Sequence, residues 1–520
     1  MLPTIATVPA STPVRRRVAH PLAVLAGLCV LLVSGLALSG RAGSGPAAGQ
    51  AASASDAAAL QGFDAEVEAT MHALNVPGVA IGVIRDGQVV LARGYGLRDI
   101  GKPEAVDAAT VFAIGSMSKS FTTAVMATQV DEGKLDWNRP VRDYLPNFRL
   151  YDPIATELAT PRGLVSDRTG LPRHDFIRMS TYVDRAEVVR RLRYMPPSKT
   201  FREGYQYNNL MYVTAGYLSG VIAGSTWEDL VRERIFQPLG MTRSNTSVKD
   251  SARIDNHAMP HVLKDGKPVV TAFYDYQRFG IGPNGAVNST VDDVLKYLRM
   301  HIDHGRAADG RQVISAAQVD ELFKPVTVSG PDTSYALAWE RGQRHGATYV
   351  AHGGAITGFT SQMIVFPDRK TGIVVLNNLG SRLPSLVAWR LADRLLGQAG
   401  GDYLATPAPS AAARAGASSR GDTKLPTRIT GTRPTLPLAA YTGDWTHPAF
   451  GKVRVDVKND GLVVHFDAMD LSLRHYHYDT FEVTGWGGLV SFRLDDAGKP
   501  GQMLLPLEPE VEDFVFVRPE

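Results

Sequence analysis

Ser116 and Lys119 are the residues of this chain most suited to chemistry. A serine hydroxyl is a weak nucleophile until a neighbouring base takes its proton. Three residues apart at the start of a helix, the two side chains project from one face. A lysine whose pKa is lowered by burial or by nearby cations can then act as that base. The helix N-terminus adds a positive dipole end where an oxyanion would form. Alone, S-x-x-K arises by chance in many proteins, as a solvated pair on a helix. Here Phe112-Ala113-Ile114-Gly115 leads in, and a run without glycine or proline continues to Glu132. Tyr207-Asn208-Asn209 is the second element: a tyrosine facing the pair can relay a proton to a leaving group. The Asn209 amide can bind a substrate carbonyl or hold the lysine.

Two triplets compete for the third element. Lys370-Thr371-Gly372 spells the K-T-G motif of serine enzymes that use S-x-x-K. Pro367-Asp368-Arg369 before it opens a turn between apolar runs at 362–366 and 373–376, so it falls on an ordinary hairpin tip. His352-Gly353-Gly354-Ala355 precedes the first of those runs, and glycines let a substrate backbone approach a strand closely. It is taken as the site and 370–372 as a chance match. Ser166-Asp167-Arg168 resembles S-D-N but lacks the asparagine, a role already filled by Tyr207–Asn209.

The elements that must position these residues follow from periodicity. Phe63, Val67, Met71 and Leu74 recur at helical spacing, and 79–84 and 89–92 read as strands joined by an Asp86-Gly87 turn. Helices are expected at 116–132, 186–192, 212–222, 227–236, 291–301 and 385–396, and strands at 362–366 and 373–376. Strands first, helices in the middle, then strands and a helix indicate an α+β domain with one antiparallel sheet built from both ends. After 401–437, a linker rich in Ala, Ser, Gly and Pro, short alternating runs from 453 to 517 indicate a small all-β barrel or sandwich. Trp339 and Trp389 read as core. His475 and His477 read as a surface pair, because no third ligand stands at metal spacing.

The ordered segments FAIGSMSKSFT (112–122), DRTGLPRHD (167–175), YQYNNLMYVTAGY (205–217), IFQPLGMTRS (235–244), GPNGAVNSTVDD (282–293) and AHGGAITGFTSQMIVFPD (351–368) resemble the class C β-lactamase/penicillin-binding family. The likeness is to its broad β-lactamase-related branch, which includes D-aminopeptidases, esterases and serine peptidases. It covers about residues 62–400 and implies a β-lactamase/transpeptidase-like fold, an antiparallel sheet flanked by helices. Residues 438–520, opening Tyr441-Thr442-Gly443-Asp444-Trp445, resemble the lipocalin-like barrel appended to some of these peptidases. The resemblance implies that Ser116 attacks an acyl carbon while Lys119 and Tyr207 shuttle the proton. It implies an oxyanion hole from the N–H groups of Ser116 and Ala355. His352 stands where β-lactamases usually have lysine, and would orient substrate or steady Tyr207. Asp167 stands where relatives commonly have histidine, and reads as a fold position. A lysine at 352 would suit a penicillin carboxylate, whereas a histidine is mostly neutral at pH 7. A peptidase or esterase is therefore favoured, acting on small esters or short peptides, D-amino-acid ones included. A β-lactamase or D,D-carboxypeptidase and a non-hydrolysing cell-wall sensor are the alternatives.

Composition narrows the class further. The net charge of +3 includes Arg15–Arg17, and without them it is 3 − 3 = 0, so nothing marks a nucleic-acid surface. The single cysteine, Cys29, excludes a disulfide framework, a cysteine nucleophile and a thiolate metal site from the domains beyond it. No cofactor or metal is implied; the partner is a small-molecule or peptide substrate. Arg15–Arg17 precede the uncharged stretch Pro21–Ser39, an export signal by pattern. It is long enough to span a bilayer, so residues 1–39 are either a cleaved signal (Ala37-Leu38-Ser39 suits cleavage) or a membrane anchor through 21–39. Either way the body is expected outside the cytoplasm, tethered by small polar residues from 40 to about 61. Oligomeric state leaves no mark in the sequence.

Overall fold

The computed structural model describes residues 54–276, 280–398, 401 and 425–519. The leader, most of the tether and residues 402–424 of the linker lie outside them. Among the described residues no helix is long and apolar enough to cross a membrane.

Eight antiparallel strands form the main sheet: β1 (Gly78–Arg85), β2 (Gln88–Gly96), β3 (Thr327–Gly330), β4 (Thr333–Tyr335), β5 (Glu340–Arg344), β6 (Ala347–Ile356), β7 (Phe359–Phe366) and β8 (Thr371–Asn377). Their order is β2-β1-β8-β7-β6-β5-β4-β3. The first hairpin therefore pairs directly with the last strand, Val79 opposite Asn377, and both ends of the domain share one sheet. Asp86 and Gly87 both have positive φ (49° and 75°), the conformation a two-residue hairpin turn requires. Along β1, alternation sends Val79, Ile81 and Val83 to one face and Ala80 and Ile84 to the other, and both faces are covered.

Helices α1 (Ala54–Leu60) and α2 (Phe63–Ala73) open the described chain, and α3 (Ser118–Asp131), α4 (Leu210–Ala223), α5 (Val291–Ile302) and α6 (Leu383–Leu395) are the long helices that follow. Phe63, Val67, Leu383, Val387 and Leu391 cover one sheet face, and α3 and α5 lie on the other. Every residue of α3 from Ser118 to Gln129 is buried, as its small and apolar composition requires of a helix enclosed on all sides. The expected helix at 227–236 is α-helical only to Val231 and continues as a π turn over Arg232–Phe236.

Three expectations are corrected. The last part of the proposed tether is helix α1: alanines favour a helix, and buried Asp56 anchors it to Arg85 at 2.8 Å. Residues 425–437 of the proposed linker lie along the β domain, where Arg428 donates to the Tyr476 carbonyl and Thr435 to Asp479. Strands β3–β6 were not anticipated; β5, with the sequence ERGQR, carries no apolar alternation to reveal it.

The C-terminal domain is a closed antiparallel barrel of eight strands: β9 (Gly443–His447), β10 (Gly451–Lys458), β11 (Gly461–His465), β12 (Asp470–His477), β13 (Thr480–Val483), β14 (Leu489–Leu494), β15 (Pro500–Leu505) and β16 (Phe514–Val517). Closure leaves no strand edge exposed. Tyr441, Trp445, Phe481, Phe492 and Phe516 are buried in it, and the Arg518 guanidinium lies 4.0 Å from the Trp445 ring centre. Phe176 of the first domain meets Phe466, Trp486 and Phe450 of the barrel at centroid distances of 4.9, 5.1 and 5.9 Å. The two domains thus share one apolar core.

Gly216 of α4 faces the turn Gly282–Asn284, and a Cβ there would come within 2.2 Å of Pro283 Cγ. Gly216→Ala should lower stability by about 1–3 kcal/mol, the usual cost of overpacking. A thermal unfolding midpoint equal to the parent's would show that the turn yields without cost.

Candidate active site

A short 3₁₀ turn, Gly115–Met117, presents Ser116 immediately before α3. Gly115 has φ 52°, and a Cβ there would approach Ala355 N to 2.8 Å, so both the backbone angle and the space demand glycine. Ser118 Oγ secures the turn by donating to Gly115 O and accepting from Val287 N.

Lys119 is fully buried beside the serine. Its Nζ lies 3.0 Å from Ser116 Oγ, 2.8 Å from Asn209 Oδ1 and 3.1 Å from the Asn284 carbonyl, one acceptor for each ammonium proton. The Tyr207 hydroxyl donates to Ser116 Oγ at 2.9 Å. Burial pushes the Tyr207 phenol well above its ordinary pKa, against the opposing pull of Arg173 and of the Ser116 hydrogen bond. Tyr207 is thus a neutral O–H donor at physiological pH. Lys119 Nζ also lies 4.8 Å from the Tyr207 ring centre.

Behind this group stands a carboxylate that the sequence reading did not single out. Asp175 Oδ1 accepts from Asn209 Nδ2 at 2.7 Å, and its Oδ2 accepts from Arg173 Nε at 2.7 Å. The Arg173 guanidinium lies 5.0 Å from the Tyr207 ring centre. Asp175 therefore orients both Asn209 and the cation beside Tyr207. Its partner Asn209 is 34 residues away in the chain, and only its place in the DRTGLPRHD segment could have drawn attention to it. The Asn284 carbonyl was equally invisible, since a backbone acceptor has no residue type.

Asp167 is wholly buried with φ 51°. One oxygen accepts from Asn208 N at 3.2 Å; the other has no hydrogen-bond partner. Burial pushes its carboxyl up to about 8, although Lys119 and Arg173 pull the other way. At neutral pH it is mostly uncharged.

β6 forms the opposite wall and carries His352, Gly353, Gly354 and Ala355 on the strand itself, with Gly354 opposite Ser361 of β7. The reason for glycine at 354 differs from the one expected. A Cβ there would strike Ile114 O at 2.0 Å and Ser361 Oγ at 2.4 Å, so it accommodates the chain entering Ser116 rather than a substrate backbone. His352 Nδ1 lies 2.6 Å from Gly353 O, which can only accept, so the hydrogen-bond network assigns the ring proton to Nδ1. Nε2 is then the acceptor for the Tyr335 hydroxyl at 3.1 Å. Burial, reinforced by the charge of Lys119, holds the imidazole down at about 3. The ring is neutral, and its two nitrogens engage Gly353 and Tyr335 rather than Tyr207.

Lys370 sits in the left-handed region at the β7–β8 turn, its carbonyl accepting from Asp86 N at 2.9 Å. Leu376, opposite Ser361, is six positions along β8, roughly 20 Å away at about 3.3 Å per residue. The K-T-G triplet and the Ser116 pocket lie at opposite ends of the sheet.

Residues 63–398 match the family described as Beta-lactamase, and residues 427–518 match a domain of unknown function, DUF3471. The chain belongs to the beta-lactamase family, and it is a serine hydrolase of that fold. The unguisins hydrolase ungD' of Aspergillus campestris is 27% identical, over 87% of this chain and 90% of that protein. Penicillin-binding protein 4 of Amycolatopsis lactamdurans is 30% identical, over 59% of this chain and 82% of that one. Among solved structures, the octameric penicillin-binding protein homologue from Pyrococcus abyssi superposes with a TM-score of 0.60 at 22% identity, covering 88% of this chain and 100% of that chain. A class C beta-lactamase mutant superposes at 0.56 and 18%, covering 64% and 97%.

If Asn209 holds the lysine in place, Asn209→Ala should slow modification of Ser116 by a fluorophosphonate on the order of a hundredfold, the scale of a misplaced catalytic group. The unfolding midpoint should fall as well, by the equivalent of about 1–3 kcal/mol, because the buried Lys119 amine and Asp175 both lose the Asn209 amide. An unchanged labelling rate, followed by intact mass, would remove Asn209 from the machinery.

Proposed function

We propose that this enzyme hydrolyses small esters or short peptides, D-amino-acid ones included, through an acyl-enzyme on Ser116. The observation that carries the reading is the convergence of Lys119 Nζ and the Tyr207 hydroxyl on Ser116 Oγ, at 3.0 and 2.9 Å. As a neutral amine, Lys119 takes the serine proton while Oγ bonds to the acyl carbon. The N–H groups of Ser116 and Ala355 are suited to receive the oxyanion. As the bond to the leaving group breaks, Tyr207 gives that group its proton and is restored by the proton held on Lys119. Water then adds to the acyl-enzyme by the same path in reverse and frees the acid.

Two features support this substrate class over penicillins. The neutral, buried His352 offers no cation to a carboxylate, and Arg173, beside Tyr207, is already paired with Asp175. The relative named a hydrolase of unguisins also covers both domains of the chain. The relative named a penicillin-binding protein makes acylation by a β-lactam the outcome to test against. The basic then apolar leader supports action outside the cytoplasm.

Intact mass after treatment with a fluorophosphonate and, separately, a penicillin should show a single adduct with the first, accompanied by turnover of p-nitrophenyl esters or D-alanyl amides. Ser116→Ala should abolish adduct and turnover with the fold retained; undiminished hydrolysis by that variant would overturn the assignment. Lys370→Ala should keep full activity, and a loss of about a hundredfold would mean that the wrong triplet has been placed in the pocket.

A further inference from the structure

Between β15 and β16 the barrel sends out one loop, Pro506–Asp513, with the sequence PLEPEVED. Glu508 in this loop is buried against the first domain, with no cationic partner among the described residues, an unusual place for a carboxylate. Its Oε2 accepts from the backbone N–H of His174 at 2.6 Å. Two positions on, Glu510 Oε2 accepts from Gln206 Nε2 at 2.7 Å and from Ser198 Oγ at 3.3 Å. One loop thus grips two separate segments of the hydrolase domain, and each segment leads straight into the site. His174 precedes Asp175, and Gln206 precedes Tyr207.

The path from the barrel to the nucleophile is short. Glu508 holds the His174 N–H, and the adjoining residue Asp175 accepts from Asn209 Nδ2 at 2.7 Å. Asn209 Oδ1 accepts from Lys119 Nζ at 2.8 Å, and Nζ meets Ser116 Oγ at 3.0 Å. His174 itself is in the left-handed region, at φ 44°, without being glycine. Such a conformation persists only where its surroundings hold it. Those surroundings are Glu508 on its N–H, the Pro196 carbonyl on its Nε2 at 2.9 Å, and the Phe514 ring of the barrel at 5.9 Å. Among the described residues, the acceptor for that N–H comes from the barrel and not from the hydrolase domain.

We propose that the C-terminal barrel is a working part of the active site, and that Glu508 is a positioning residue which latches the 173–175 segment so that Asp175 sets Asn209 and Lys119 for catalysis. The proposal rests on the Ser116 reading above. It gives the barrel a task in the first domain's chemistry rather than a binding activity of its own.

The latch has a pH dependence of definite sign. Burial pushes Glu508 up to about 7, and the neighbouring Glu510 and Asp175 act in the same direction, against the His174 and Glu510 N–H groups. Among the described residues, the other charged or titratable groups at this interface include Arg173, paired with Asp175, Arg191, which donates to the barrel's Ala449 carbonyl at 3.0 Å, and His174, which burial holds down at about 4 and which is neutral. His447, against Phe514, is likewise held down at about 4. As pH falls through about 7, Glu508 gains a proton and its hydrogen bond from His174 loses its charge assistance. Acylation should therefore weaken on the acid side through this group.

The test uses the full chain with Glu508→Gln and Glu508→Ala. Fluorophosphonate labelling of Ser116, kcat and KM for a p-nitrophenyl ester, and unfolding midpoints would be measured from pH 5 to 9. Removing a hydrogen bond to a charged group should slow labelling and kcat of Glu508→Ala by about tenfold to a hundredfold at pH 8, with KM changing less. Glu508→Gln keeps an acceptor for the His174 N–H but not its charge, so at pH 8 it should label at the slowed rate of the parent's acid form, faster than the alanine variant, and lose the limb near pH 7. Should the alanine variant not fold, the pH profile of the glutamine variant decides alone. Parent rates and a parent pH profile in the glutamine variant, or a lowered midpoint in the alanine variant with labelling unchanged, would overturn the latch and leave the hydrolase intact. Failure of the parent protein itself to label would instead overturn the hydrolase reading on which the latch depends.

Discussion

The buried amine of Lys119 is the constraint on which the rest of the site depends. An amine sealed from water needs its protons satisfied, because an unpaired polar group in the interior costs about 1–3 kcal/mol and a charge far more. The three acceptors come from three places: the turn before α3, the residue that caps the start of α4 and the turn at 282–284. Each must be fixed to within tenths of an ångström relative to the others. The packing around α3 does this. Thr122 Oγ1 donates to Pro283 O at 2.7 Å and accepts from Trp227 Nε1 at 2.9 Å, which ties the acceptor turn to the helix that carries the lysine. The bare face of Gly216 lets α4 close on the same turn.

The sheet imposes the second constraint, which is clearance. Gly354 and Gly115 are in reciprocal contact with the other element: a Cβ on the first would strike Ile114 O, and one on the second would crowd Ala355 N. Ser361 Oγ closes the arrangement by donating to Ile114 O at 2.9 Å. The spacing between the nucleophile and the wall opposite it is thus set by backbone against backbone, where rotamer changes cannot relax it. Glycine in this wall serves the geometry of the enzyme before it serves the substrate.

What the sequence made legible was local. Ser116 and Lys119 are one helical turn apart, the first hairpin carries its turn residues, and the barrel strands alternate from 453 onward. Interactions that depend on distant chain segments left no such mark. Asp175 reaches Asn209 from another loop, Asn284 contributes only its backbone, and Glu508 belongs to a different domain. His352 was legible as a residue but not as a contact, because its partner Tyr335 lies on a short strand whose pattern is polar and brief. The left-handed backbone at Asp167 and His174 is set by tertiary contacts at residue types that give little local warning of it.

These long-range contacts also settle the charge of the pocket. Asp167 and Asp175 are eight positions apart, yet only Asp175 is paired with a guanidinium; Asp167 has a single backbone donor and is pushed toward its neutral form. The difference matters to Lys119. An ionised carboxylate near the amine would favour the ammonium and so weaken it as a base. Asp167 is pushed toward its neutral form and His352 is neutral, so neither sets a full charge beside the amine, while Arg173 and Asp175 are paired with one another. In the proposed mechanism, Lys119 then meets an acyl carbon approaching Ser116 Oγ with no ionised carboxylate on Asp167 to oppose its role as base.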